Sequence, residues 1–169
     1  MFFRNAIESD ASSLAAISIE VWIGTYLRNG VNGFFADYAL AEFTAAKFEA
    51  ILAANAEHVI VSENENGIDG FIRLSLDSPA PLLGCSSTEI KTLYVQPRHH
   101  GKGIGKNLLN EGLRQCAKMG VDAVWLTVNS ENTAALAFYS ALDFKNIGQT
   151  QFRIADQAYL NEVLRRQIV

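Results

Sequence analysis

Along the chain the apolar residues change period several times, and each change marks an element. Residues 2–7 form a short apolar opening, read as a strand, and Ser9 then stands where an N-cap would precede a helix whose apolar positions Leu14, Ile17, Val21 and Trp22 recur at helical spacing. Asn29-Gly30 and Asn32-Gly33 interrupt the pattern. Residues 38–54 resume it with Leu40, Phe43, Phe48, Ile51 and Leu52, which predicts a second helix. Residues 58–61 and 68–76 run or alternate apolar on either side of Glu63-Asn64-Glu65-Asn66-Gly67, the pattern of an antiparallel hairpin. A further strand is predicted over 87–95. From Gly103 a helix begins with Ile104, Leu108, Leu109, Leu113, Cys116 and Ala117 on one broad face, and Gly120 is its expected stop. Residues 121–128 read as a strand, 131–142 as a short helix, and the remainder as two short strands. The order β-α-α-β-β-β-α-β-α-β-β describes one α/β domain over 1–169, a mixed sheet with helices on its faces.

Composition narrows this picture by exclusion. With 169 residues, 49% of them hydrophobic and 19% charged, the chain can close one core and is not disordered. No stretch approaches the ~18 apolar residues of a membrane span, so no membrane partner is expected. Glu8 and Asp10 stand where a secretory leader would continue its apolar run, so a cytoplasmic location is expected. A formal charge of −4 argues against nucleic acid as a partner. Cys85 and Cys116 are far apart and in no ligand spacing, and His58, His99 and His100 form no metal motif, so neither a disulfide nor a metal is expected.

The chemistry concentrates in residues 92–109. An apolar strand over Thr92-Leu93-Tyr94-Val95 is followed by Pro97, then by three glycines in five residues (Gly101, Gly103, Gly105), then by a helix. Glycine lets the backbone turn sharply and bring N–H groups close to phosphate oxygens, and the first N–H groups of a helix add donors and dipole. Arg98, Lys102 and Lys106 add positive charge. Neither the G-x-x-x-x-G-K-[ST] loop nor the G-x-G-x-x-G fingerprint fits, since position 106 is Lys and position 108 is Leu. Taken alone, the glycines are either an anion cradle or only a tight connection.

This stretch resembles the acetyl-CoA signature of the GNAT N-acetyltransferases, Q/R-x-x-G-x-G/A after a strand, with His100, Gly103 and Gly105 in its fixed places. A second landmark of that family is matched by Asn132, Ala135, Phe138-Tyr139 and Leu142-Asp143-Phe144. Two departures stand out: His100 where the family has Gln or Arg, and Asp143 where it has Gly. The resemblance implies a single-domain fold, a mostly antiparallel twisted sheet of about seven strands flanked by about four helices. It implies acetyl-CoA as co-substrate and transfer of its acetyl group to a primary amine by direct attack. By the same resemblance Leu93, Tyr94 and Val95 hold the acetyl and pantetheine portion, and His100, Gly101, Lys102, Gly103, Ile104, Gly105 and Lys106 cradle the pyrophosphate. Asn132 would contact the pantetheine arm, and Tyr139 would protonate the departing thiolate.

Tyr139 has a second reading as an ordinary core tyrosine with a wet hydroxyl. Glu89 lies six residues before Val95 on the same predicted strand, and even spacing puts it on the face of Leu93 and Val95, where a base for the ammonium could stand. Its alternative is a solvated strand charge or a salt-bridge partner. For the acceptor, Trp22, Tyr26 and Tyr38, with Phe34, Phe35, Asp37 and Glu42, form an aromatic and acidic set suited to an amine, or simply helix core. The C-terminal region loosely resembles the bacterial polyamine acetyltransferases. N-terminal or lysine acetylation of a protein or peptide, and a silent acyl-CoA-binding domain, stand as alternatives. Edge strands after residue 143 suggest a homodimer.

Overall fold

The protein is described here by a computed structural model over residues 1–168. The elements are β1 (Phe2–Asn5), α1 (Ala11–Tyr26), α2 (Gly33–Glu42), α3 (Ala45–Ala53), β2 (Glu57–Asn64), β3 (Gly67–Ser75), β4 (Glu89–Val95), α4 (Ile104–Lys118), β5 (Ala123–Asn129), α5 (Thr133–Ser140), β6 (Lys145–Ile154) and β7 (Gln157–Gln167). The hydrogen-bonded strand order is β1-β2-β3-β4-β5-β7-β6, the seven strands expected. Antiparallel pairs predominate, and β4 runs parallel to β5 at Glu89 and Trp125. The contacts gather into two compact units. One comprises Met1–Leu74 with Thr92–Gly112, the other Ser75–Lys91 with Leu113 onward, so that β3, β4 and α4 each run through both.

The first unit packs α1 and α3 on one face of its strands. Leu14, Ala15 and Ile17 of α1 meet Phe48 of α3, Val59 and Val61 of β2 and Phe71 of β3, with Tyr94 of β4 against them. Side chains alternate along β3. Phe71 faces this core, whereas Gly70 lies beside Leu108 of α4, and Ile72 and Leu74 lie beside Gly112 of the same helix. Leu14, Phe71 and Leu108 are fully buried, each contributing about 1.5–3 kcal/mol of apolar transfer.

Arg4 ties three pieces of this unit together. Its guanidinium donates to both oxygens of Asp10, at 2.7 and 3.0 Å, and to Glu63 on β2. The Arg4 bond holds the Asp10 carboxyl below the usual carboxylate range; burial works against it, and the Ile7 N–H assists. A depressed folded-state value means that this stabilisation is complete above the unfolded value of about 4 and is lost as pH falls through the folded one. Arg4→Met is therefore expected to cost about 1–3 kcal/mol at pH 7, with the difference from wild type shrinking toward pH 3. Urea midpoints at the two pH values check this, and an unchanged gap would refute it.

The second unit is built on β5, β7 and β6. The β5–β7 register runs from Ala123↔Gln167 to Asn129↔Asn161, and β6–β7 is a hairpin from Lys145↔Arg165 to Ile154↔Gln157 with a bulge between Asn146 and Gly148.

Four boundaries differ from expectation. Helix α1 starts at Ala11 rather than after Ser9, because a 3-10 turn over Glu8–Asp10 intervenes. The single helix predicted over 38–54 is two, so that the described residues hold five α-helices. Asn32, read as a break, caps α2 by accepting from the Phe35 N–H, and Thr44 caps α3 by accepting from the Lys47 N–H. Strand β5 is shifted two residues from the predicted start. The last two strands are long, 10 and 11 residues, where short ones were expected: much of this hairpin is exposed on both faces, so it lacks the apolar alternation by which a strand is read.

Candidate active site

In the first unit, β4 delivers the chain to the glycine loop. The Gln96 N–H donates to the Asp69 carbonyl on β3, which by alternation turns the N–H and C=O of Val95 toward the other edge of β4. The same alternation applies to Leu93. The Tyr94 ring packs edge-on against Phe71 at 5.9 Å, so this residue is core by its side chain. Pro97 opens a 3-10 turn through His99. Gly101 and Gly103 then adopt φ of +77° and +79°, the left-handed region open to glycine at little cost. A Cβ at Gly101 would meet nothing within 4 Å, so the loop needs glycine for its backbone conformation and leaves an open cradle. Helix α4 follows at Ile104. Buried Ile104, Leu108 and Leu109 fix its first turns in the core, while its first N–H groups have no intrahelical acceptor. Arg98, Lys102 and Lys106 stand exposed around this positive end.

His100, the atypical residue of the loop, has a specific contact. Its Nε2 lies 2.9 Å from the Val95 carbonyl, and only an N–H can bond a carbonyl, so the ring braces the loop against the end of β4. Loss of one such bond is worth about 1 kcal/mol. His100→Ala is therefore expected to raise the KM for acetyl-CoA several-fold with kcat unchanged, measured by steady-state kinetics. A hundredfold change, or none, would contradict the brace.

The second unit holds the other landmark residues. Asn132 caps α5: its Oδ1 accepts from the Ala135 N–H at 3.1 Å, leaving its amide nitrogen as the donor for any ligand contact. Tyr139 lies seven residues on, about two turns or ~10 Å along the axis. It is 9% exposed, with its ring against Phe138 and Phe144 at 5.1 and 5.3 Å. Burial pushes its phenol above the usual tyrosine range, so it stays protonated at neutral pH. Its hydroxyl makes no hydrogen bond among the described residues. Asp143 takes φ +64° just past this helix, in the left-handed conformation that Asp tolerates better than most residues.

Glu89 is engaged by protein. Its Oε2 accepts from the Ser78 hydroxyl at 2.5 Å and lies 2.8 Å from Lys91 Nζ. Ser78 in turn offers its carbonyl to the Trp125 indole. The salt-bridge alternative is thus present in the geometry, and a base at this position would have to release a partner.

In the first unit α1 and α2 bring the aromatic residues together. Trp22 is buried, with Tyr26, Tyr38 and Phe35 at 5.0, 5.2 and 5.8 Å between ring centroids. Tyr38's phenol is pushed up to about 12, by burial first and then by the Glu42 carboxylate. Glu42 itself is paired with Lys47 at 3.1 Å. Tyr26 is 44% exposed and forms the outer edge.

The GNAT acetyltransferase family profile matches residues 26–144. The chain belongs to this family. An uncharacterised N-acetyltransferase of Mycobacterium tuberculosis is 26% identical over 161 residues, covering 95% of this chain and 99% of that one. The N-alpha-acetyltransferase RimI of Mycobacterium tuberculosis is 33% identical over 103 residues, 61% of each chain. In fold, the chain is similar to the PaiA N-acetyltransferase of Thermoplasma acidophilum, solved with coenzyme A, at a TM-score of 0.78 and 20% identity over 95% of this chain and 96% of that one. This GNAT protein is an acetyl-CoA-dependent acyltransferase of the α/β class. The polyamine resemblance is not carried by these relatives, among which mycothiol acetyltransferases also occur.

Three positions beside these residues were not singled out by the sequence. Gly70 sits in the crossing of β3, β4 and α4, where a Cβ would come 2.9 Å from the Tyr94 carbonyl oxygen; a glycine within a predicted strand was its only signal. Phe43 joins the aromatic set at 6.4 Å from Trp22. Glu20 on α1 accepts from the Gln96 side chain at 2.8 Å, next to Val95. Among the described residues no cluster of three or more His, Cys, Asp or Glu is gathered to hold a metal, and no helix is long and apolar enough to cross a membrane. Cys85 and Cys116 form no disulfide, and burial pushes the Cys116 thiol up to about 11, which keeps it out of nucleophilic chemistry.

Proposed function

We propose that the GNAT protein transfers the acetyl group of acetyl-CoA to a single primary amine carried on an apolar or peptide arm. The observation that carries the donor half is the left-handed turn at Gly101 and Gly103 running into the N-terminus of α4 directly after β4. Backbone N–H groups there suit a pyrophosphate, and the outward N–H of Val95, with Leu93 two residues earlier, suits the acetyl and pantetheine portion. His100, Gly101, Lys102, Gly103, Ile104, Gly105 and Lys106 form the cradle in this reading, and the amide nitrogen of Asn132 is the pantetheine donor.

In the reaction the neutral amine attacks the thioester carbonyl carbon, a C–N bond forms, and the C–S bond breaks as the tetrahedral intermediate collapses. The sulfur leaves as a thiolate and takes the phenolic proton of Tyr139, while the amine nitrogen gives up one proton. Glu89 is the β4 carboxylate proposed to accept that proton. Glu89→Gln separates its two roles: a base loses kcat and the acidic limb of the pH profile, whereas a loop anchor loses thermal stability with kcat retained.

For the acceptor, the Trp22, Tyr26 and Tyr38 rings offer an apolar and cation–π wall. Glu42 is already neutralised by Lys47, so of the two carboxylates in the set only exposed Asp37 lacks an ion pair among the described residues. One carboxylate suits one ammonium better than a polyamine's several. The similarity to RimI favours a second reading, a peptide α-amine.

Coenzyme A thiol release from acetyl-CoA, measured with spermidine, amino acids, short peptides and an aminoglycoside, tests both. Turnover of mono-amines or peptides above spermidine is the expected result. Binding of acetyl-CoA without turnover of any amine would favour a silent acyl-CoA-binding domain, and absence of acetyl-CoA binding would overturn the donor assignment. Homodimerisation through β6 belongs to the same proposal and is read by light scattering.

A further inference from the structure

The β6–β7 hairpin carries a cluster that acetyl transfer does not use. At its open end Asp143, Lys145, Ile147, Arg165, Arg166 and Gln167 line a concavity of about 360 Å³. Three of these six residues are cations and one is an acid, in a chain whose acids outnumber its bases. Among the described residues the ion pairs involve Arg4, Lys47, Arg73 and Lys91. Lys145, Arg165 and Arg166 take part in none of them.

The arrangement is also costly as it stands. Lys145 and Arg165 are directly opposite in the antiparallel register, the position at which like charges repel most. Both guanidiniums are nonetheless oriented. Arg165 donates through Nη2 to Gln167 Oε1 at 2.8 Å, and Arg166 lies 5.9 Å from the ring centroid of buried Phe144. Successive side chains leave a strand on opposite faces, so the two guanidiniums flank the end of β7 from either side.

We propose that this concavity binds a phosphate dianion, as inorganic phosphate or as a phosphomonoester. A guanidinium presents a planar fork that matches two phosphate oxygens, an ammonium adds a third donor, and the excess of two positive charges in the lining matches a dianion. A volume of this size admits the phosphate together with part of the group that bears it. Bound there, the anion relieves the repulsion between Lys145 and Arg165. Within this unit the site is separate from the proposed coenzyme residue Asn132. Asn161 pairs with Asn129 beside Asn132, and Gln167 is six residues further along β7, ~20 Å away at strand rise.

The test is a ¹H–¹⁵N titration of the whole chain with inorganic phosphate and with phenyl phosphate, against sodium chloride and sodium acetate at matched ionic strength. Saturable shifts of the amides of residues 144–147 and 165–167 with either phosphate are expected. Lys145→Gln and Arg166→Gln should each weaken the response at least tenfold. Lys145 is exposed, so its variant keeps the test valid even where a change at half-buried Arg166 disturbs folding. Stronger binding of phenyl phosphate assigns the site to a phosphomonoester, and equal binding assigns it to free phosphate. Equal shifts with chloride or acetate, shifts confined to residues 101–106, or full affinity in Lys145→Gln would each overturn the proposal. The last two outcomes leave the acetyl-CoA assignment untouched.

Discussion

Tyr139→Phe is expected to lower kcat by roughly 10²–10⁴-fold, the usual worth of a positioned general acid, while the dissociation constant of acetyl-CoA stays within about twofold. The substitution removes one oxygen and keeps the ring that Phe138 and Phe144 hold at 5.1 and 5.3 Å, so α5 and its Asn132 cap should be undisturbed. The hydroxyl has no protein partner among the described residues, and for that reason its loss leaves no buried acceptor stranded. The pH profile supplies a second check. Burial raises the phenol above the usual tyrosine range, so the proton donor is fully loaded at and above neutral pH and kcat should not fall on the alkaline side until well beyond the ordinary tyrosine value. Single-turnover rates with acetyl-CoA and a competent amine measure the first effect. Unchanged turnover in the variant would return Tyr139 to the role of core aromatic.

The second large effect is expected at Gly70. A Cβ there would come 2.9 Å from the Tyr94 carbonyl oxygen, 3.2 Å from a Val95 methyl and 3.3 Å from a Leu108 methyl. The Tyr94 oxygen belongs to backbone and cannot swing aside, so Gly70→Ala must displace β4 or be accommodated at a cost of about 1–3 kcal/mol. Both consequences are measurable: a lower urea midpoint, and a higher KM for acetyl-CoA because Leu93 and Val95 move with the strand. A Gly70→Ala protein as stable as wild type and with the same KM would show that β4 is not held at this crossing.

The proposed donor half of the site rests on a backbone device, whose turn and helix start were legible in the sequence. Left-handed turns demand glycine, a helix start demands a boundary, and both leave marks at fixed spacing, so Gly101, Gly103 and the start of α4 were found where the structure has them. Glu89 was harder to read. Period two put it on a face, but its partner Ser78 comes from the long connection before β4, which no local pattern predicts. The two-helix nature of residues 33–53 was hidden for a related reason: Phe43 continues the apolar spacing across the break, and only the hydrogen bonds from the Phe35 and Lys47 N–H groups reveal Asn32 and Thr44 as caps. The β6–β7 hairpin was underestimated because exposed polar strands carry no burial signal. Its basic cluster passed unnoticed, since Lys145 and Arg165 are twenty positions apart and meet only through the register.

The break at Phe43–Thr44 also makes α2 a short element of its own. Helix α2 has ten residues, of which Ala39 alone is fully buried, and it contributes Phe35 and Tyr38 to the aromatic wall. Substitutions along it are expected to disturb little of the core that Leu14, Phe48 and Phe71 maintain, and amide exchange along α2 is expected to be faster than along α1. On the proposed function, changes along α2 would alter the amine recognised while leaving the glycine turn and α4 as they are. Acceptor choice, on that proposal, is an interchangeable part mounted on a coenzyme platform that does not have to change.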